Sequence, residues 1–241
     1  MTFDDVTCDA FQNLSAFSSV VKDLRTPNTI VLIPGDLLGV SVTSILDKGV
    51  TVIELLNRIG VDIVTLGNSE ANVPSELLAQ RMSDFKGKCL NSNLPHLPHQ
   101  LPEYEIVQVR GPGGSMRKVG LVGICTHSDP AGTSGEAWKT SLPAVEAVTR
   151  LRKKLVEELG CDVVVPITNQ MMAVDVALAR EIEDLPLIIG AHDHEPAVRM
   201  ITADDGSRST TIVKAGLLHN LCAVTGDDVT GTTSVPLQVV M

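Results

Sequence analysis

The chain has 241 residues, 44% hydrophobic but only 2% aromatic, and its 19 Lys and Arg against 29 Asp and Glu leave a net charge of −10. That length suits one large domain with an aliphatic core, and no run approaches the ~20 apolar residues of a membrane span. The acid excess repels a nucleic-acid backbone and the shortage of rings removes the stacking platforms that single-strand readers use, so neither nucleic acid nor membrane is expected as a partner.

The N-terminus, Met1-Thr2-Phe3-Asp4-Asp5, has no basic start and no apolar run after it, so no secretory signal is read there. Cys8, Cys89, Cys125, Cys161 and Cys222 are odd in number, widely spaced and form no C-x-x-C pair. Buried reduced thiols and a cytoplasmic setting are expected from that pattern.

Thr29 to Ile33 is a continuous β-branched strand run ending at Pro34-Gly35-Asp36, as expected for a strand covered on both faces. Val50 to Ile59 has helical spacing and stops at Gly60; Asp62 to Leu66 is strand, ending at Gly67-Asn68. Pro74 opens a helix through Phe85. Tyr104 to Val109 and Lys118 to Ile124, joined at Gly111-Pro112-Gly113-Gly114, read as a hairpin. An amphipathic helix from about Ala144 to Leu159, charged on one face by Arg150, Arg152, Lys153 and Lys154, stops at Gly160. Strand Asp162 to Ile167 ends at Thr168-Asn169, helix Met172 to Ile182 follows, and strand Leu187 to Ile189 ends at Gly190-Ala191-His192-Asp193-His194. Strands Val198 to Thr202 and Thr210 to Lys214, and a weaker pair after Leu221, close the chain. βαβ units first and antiparallel strands afterwards suggest two sheets with helices outside, in one domain spanning 1–241.

In open α/β sheets, ligands lie beyond the carboxyl ends of the strands. The residues there are Asp36, Asn68, Asn169, His192 and His194, with Asp5 after a short N-terminal segment. Singly each is an ordinary turn residue, although two imidazoles one residue apart on a loop can serve one or two metal ions.

Taken in order, these residues resemble the ligand series of the calcineurin-like metallophosphoesterases, and the chain looks like the catalytic domain of their 5'-nucleotidase branch. The matching stretches are Phe3 to Val6, Ile33 to Asp36, Leu55 to Asn68, Ala191 to His194 and Val213-Lys214-Ala215-Gly216. The resemblance implies a two-sheet α-β-β-α sandwich of the metallo-dependent phosphatase type. It implies hydrolysis of a phosphomonoester such as a 5'-nucleotide, using divalent ions (Mn, Zn, Mg or Fe) about 3.5–4 Å apart. Asp36 would bridge them, Asp5 and His194 would complete one shell, and Asn68 and His192 would serve the other. Asn91 or Asn93 would match a phosphate-binding Asn.

Several positions depart from the family pattern. Thr7 stands for the His of D-x-H, Asn169 for the His of T-H, and Ser69 and Asn72 for the catalytic His and its partner Asp. Neutral oxygens bind zinc less well than imidazole, so one ion or none is expected rather than two. Impaired hydrolysis follows, with a catalytically inactive ligand- or protein-binding module as the alternative. The family's C-terminal nucleobase-stacking domain has no counterpart in these 241 residues. Elsewhere His96 and His99 lie in a proline-rich loop, His127 follows a strand and would reach the site only if its loop folds inwards, and His219 has no obvious partner.

Overall fold

Two of the β-branched runs lie side by side in the computed structural model: β1 (Thr29–Ile33) and β2 (Ile63–Thr65) pair in parallel, with Leu32 opposite Ile63. The structure describes residues 18–19, 21–27, 29–38, 42–97, 99–110, 115–126, 136–214, 223–224 and 238–240. Asp5, Thr7, Cys8, His127, His219, Cys222 and the Gly111–Gly114 turn lie outside them.

The first sheet has the order β10-β11-β1-β2-β3, adding β3 (Lys88–Leu90), β10 (Ala223–Val224) and β11 (Gln238–Val240). The second has the order β4-β5-β6-β7-β9-β8. Its strands are β4 (Tyr104–Arg110), β5 (Met116–Cys125), β6 (Val163–Asn169), β7 (Leu187–Ala191), β8 (Ala197–Thr202) and β9 (Ser209–Lys214). Helices α1 (Val42–Leu46), α2 (Val50–Ile59) and α3 (Ser75–Asp84) belong with the first sheet. The short α4 (Glu136–Lys139) precedes α5 (Ala144–Lys153), which continues into a π-turn at Lys154–Glu158, and α6 (Met172–Glu181) follows β6.

Three apolar clusters separate four layers. Val31, Ile33 and Val64 pack outward on Ile53, Leu56 and Ile59 of α2 and on Leu78 and Met82 of α3. Leu32, Ile63 and Leu90 face Leu121, Val165, Ile167, Leu187, Ile189 and Val213 across the space between the sheets. Val122, Ile124, Val164, Ile188 and Ile212 pack on Val148, Leu151 and Leu155 and on Leu178 of α6. Successive residues of one strand thus enter different clusters, which is why these strands read as unbroken apolar runs. Cys89, Cys125 and Cys161 are buried and free, and burial pushes the thiols of Cys89 and Cys125 well up.

Two sequence expectations are corrected. The later strands are not all antiparallel: β5, β6, β7 and β9 run parallel, and only β4 and β8, at the two edges, reverse. Helices α5 and α6 supply the crossovers that parallel pairing needs. β6 and β7 also run further than expected, through Asn169 and Ala191, because pairing with their neighbours continues there. The weaker pair after Leu221 joins the first sheet, with β11 parallel to β1. The topology leaves the carboxyl ends of β1 and β2 from one sheet, and of β6 and β7 from the other, at the seam between the sheets.

Candidate functional site

The turn after β1 begins Pro34-Gly35-Asp36, and Asp36 takes a left-handed backbone (φ 57°) rare for a residue with a side chain. A buried carboxylate holds it there. Glu70, fully enclosed, accepts hydrogen bonds from four backbone N–H groups: Asp36 (3.1 Å), Leu37 (2.8 Å), Leu38 (2.7 Å) and Gly67 (2.7 Å). Burial and the nearby Asp36 carboxylate push its pKa up to about 7, against N–H donors that favour the charged form. Glu70 thereby ties the turn after β1 to the turn after β2.

Those turns touch closely. A Cβ on Gly67 would lie 2.5 Å from Asp36 Oδ1 and 2.6 Å from the Asp36 backbone nitrogen. Gly67→Ala is therefore expected to cost about 1–3 kcal/mol, because backbone cannot move aside as a flexible side chain does. A thermal melt should show a Tm several degrees lower; an unchanged Tm would mean that the turns are slack.

Both oxygens of Asp36 are engaged. Oδ1 accepts from the Ser69 backbone N–H (2.9 Å), and Oδ2 accepts from the side-chain Nδ2 of Asn169 (3.0 Å). Asn169 is completely buried, donates also to Pro34 O (2.8 Å), and has no hydrogen-bond partner for its Oδ1. His192, left-handed at φ 85°, places Nδ1 3.0 Å from Asn68 Oδ1. An amide oxygen only accepts, so the proton of this bond lies on Nδ1. Each of the two bonds, Asn169–Asp36 and His192–Asn68, joins one sheet to the other.

Ser69 and Asn72 bound a 3-10 turn (Ser69–Asn72) and lie three residues apart, the spacing that puts two positions on one face of such a turn; Ser69 is half-buried and Asn72 exposed. His194 is exposed on the loop after β7. Asn91 and Asn93 have other partners. The amide of Asn91 closes a turn with Leu94 through both its atoms, while buried Asn93 bonds Cys125 N, Cys125 O and Leu142 O. His96 and His99 are exposed.

Sequence reasoning assigned no role to two further groups here, Glu70 and Lys214. Lys214, the last residue of β9, is fully buried beneath the His192 loop and pairs with Asp175 (2.6 Å) and Asp193 (3.1 Å). The available signal was a lone charge within an otherwise apolar or glycine-bounded motif.

A two-ion centre does not fit these residues. Asp36 and Asn68 present acceptor atoms, but His192 Nδ1 donates to Asn68, and the fourth position of the shell that Asn68 and His192 would serve is a donor as well. One hydrogen of Asn169 Nδ2 points at Asp36 Oδ2 and the other at Pro34 O. Turning the amide over would set its oxygen against Pro34 O, which now accepts from it. Among the described residues no three or more His, Cys, Asp or Glu side chains are placed to hold a metal ion.

No family model matches the chain. Over 194 residues, 76% of its length, it is 23% identical to the snake venom 5'-nucleotidase of Gloydius brevicauda and covers 32% of that protein. The 5'-nucleotidase precursor of Thermus thermophilus superposes with a TM-score of 0.69 at 21% identity, over 87% of this chain and 43% of that one. The calcineurin-like phosphoesterase YfkN of Bacillus subtilis superposes with a TM-score of 0.62 at 17% identity, over 85% of this chain and 73% of that one. The chain thus spans about a third of the venom protein and under half of the Thermus one.

Proposed function

We propose, for a chain with the two-sheet fold of the 5'-nucleotidases and calcineurin-like phosphoesterases, that it is a pseudoenzyme of that fold: a ligand- or protein-binding module whose small-molecule ligand is a phosphomonoester such as a 5'-nucleotide. The Asn169 amide on the Asp36 carboxylate carries this reading, because it puts a donor where two-ion chemistry needs an acceptor. Ser69 adds to it, since a hydroxyl supplies neither the proton nor the positive charge that phosphoryl transfer draws on. The one buried cation near the site among the described residues, Lys214, is committed beneath the loop. The names of the relatives alone support the choice of ligand.

Phosphate release from AMP and from p-nitrophenyl phosphate, with Mn, Zn or Mg in excess, tests the reading. Enzymes turn over at about 1–10³ s⁻¹, and none of that is expected here. AMP should instead shift the NMR signals of Asn68 and His192. Metal-dependent turnover at those rates would overturn the proposal.

A slow single-ion phosphoesterase is a second reading. It is favoured by Asn68 Oδ1 and His192 Nδ1, an oxygen and a ring nitrogen 3.0 Å apart that a cation would join in place of the Nδ1 proton. Elemental analysis separates the two: one ion per chain supports the second reading, none the first.

A further inference from the structure

We infer that the buried Lys214 ammonium is a positioning group that keeps the strand-end site assembled without divalent metal, by cross-linking the segments that carry Asn169 and His192. This rests on the reading that the site holds no two-ion centre.

The contacts of Lys214 Nζ carry the inference. It donates to Gln170 O, which follows Asn169, and to Ala191 O (2.8 Å), which precedes His192. It pairs with Asp193, between the two histidines, and with Asp175 on α6. Asp175 in turn accepts from Gln170 Nε2 (2.7 Å), so the end of β6, the loop after β7 and α6 meet at one nitrogen. In a metal enzyme of this fold, ions would join the same strand ends from the solvent side; here an ammonium does so from inside the protein.

Gly190 makes the room. It lies opposite Lys214 in the β7–β9 register, and a Cβ there would fall 2.9 Å from Nζ, 2.8 Å from Thr168 Oγ1 and 3.0 Å from Asp175 Oδ2. A larger residue at 190 would press on the ammonium and on both of those oxygens, so that the network would have to shift. Asp193, one-third exposed, is the member of the network that reaches the loop itself. Removing its charge takes away the ion pair that holds the loop from within, while the Lys214–Asp175 pair and the bond to Ala191 O stay in place.

The test is amide hydrogen exchange together with the ¹⁵N spectrum of the His192 ring on the full chain, first in EDTA and then with excess Zn²⁺ or Mg²⁺. In the wild type, protection over residues 190–193 and the hydrogen-bonded Nδ1–H signal should be the same in EDTA as with metal. Asp193→Asn should lower protection there by at least about tenfold and disturb the Nδ1–H signal, leaving α2 and α5 unchanged. Lys214→Met should do the same with a general loss of stability; should it not fold, Asp193→Asn alone decides. A general structural role would not single out the His192 ring. If the wild-type loop needs metal for its protection, or if Asp193→Asn leaves the ring signal untouched, the inference fails. Metal-dependent phosphate release from a protein whose loop is unchanged in EDTA would instead sink the pseudoenzyme reading and leave this one standing.

Discussion

Replacing Glu70 by glutamine is expected to lower Tm by roughly 5–20 °C, more than any other single change at the site. Two carboxylate oxygens now receive four backbone N–H groups. A glutamine offers one acceptor oxygen and turns an NH₂ group toward donors that cannot accept from it. Each buried donor left unpaired costs about 1–3 kcal/mol, so two of them cost about 2–6 kcal/mol. The loss falls on the turns after β1 and β2, which hold Asp36, Asn68 and Ser69, so binding at the site should disappear along with the stability.

The same variant gives a pH signature. Glu70 titrates at about 7 in the folded chain against 4.5 when free. Between those values the folded protein keeps a proton that the unfolded chain releases. Its contribution is complete below pH 4.5 and is lost as pH rises through 7. The difference, 7 − 4.5, is about 2.5 units, or roughly 3 kcal/mol at about 1.4 kcal/mol per unit. Denaturant melts from pH 4.5 to 7.5 should show the wild type losing that increment relative to Glu70→Gln, whose amide does not titrate. Parallel stability curves for the two proteins would show that folding leaves the Glu70 carboxyl unshifted.

The second large effect is a gain. Combining Thr7→His, Ser69→His, Asn72→Asp and Asn169→His should raise metal-dependent phosphate release by at least about 10³-fold over the wild type, since one acid–base group alone is worth about 10²–10⁴. Residues 69 and 72 are three apart in the 3-10 turn, a spacing that sets a His and an Asp there on one face as a dyad. Position 169 would exchange a donor for an imidazole acceptor beside Asp36. Omitting Asn169→His from the set separates the contributions: with the amide still on Asp36 Oδ2, the dyad should add little. A full set without activity in a folded protein would show that the scaffold has diverged beyond these four side chains.

The strands that carry the site were readable because local signals suffice for them. β-branched runs such as Thr29 to Ile33 stop at a glycine-containing turn, and the residues at or just past the strand ends are the ones the fold gathers, although β6 and β7 run on through Asn169 and Ala191. Strand direction was not readable in the same way. β6 and β9 have the same local pattern whether their neighbours run parallel or antiparallel, and the three-residue β3 and β11 gain their strand character only from β2 and β1 beside them. Asn169 shows a different limit. The sequence identifies an amide where an imidazole is expected, but only the packing against Pro34 makes that amide a donor to Asp36. Glu70 and Lys214 escaped notice because charged side chains are seldom fully enclosed, and nothing in a single sequence says that these two are.

The bonds Asn169–Asp36 and His192–Asn68 also have a mechanical meaning. Both cross from one sheet to the other at the rim of an aliphatic layer whose side chains have no directional preference for one alignment over another. Packed apolar faces resist separation better than they resist small sliding, the shear by which layered proteins usually rearrange. The two polar bonds pin that sliding coordinate at one end of the sandwich. Any molecule seated on the strand ends would grip both sheets at once, and its binding free energy would add to the stability of this one alignment over the slid ones.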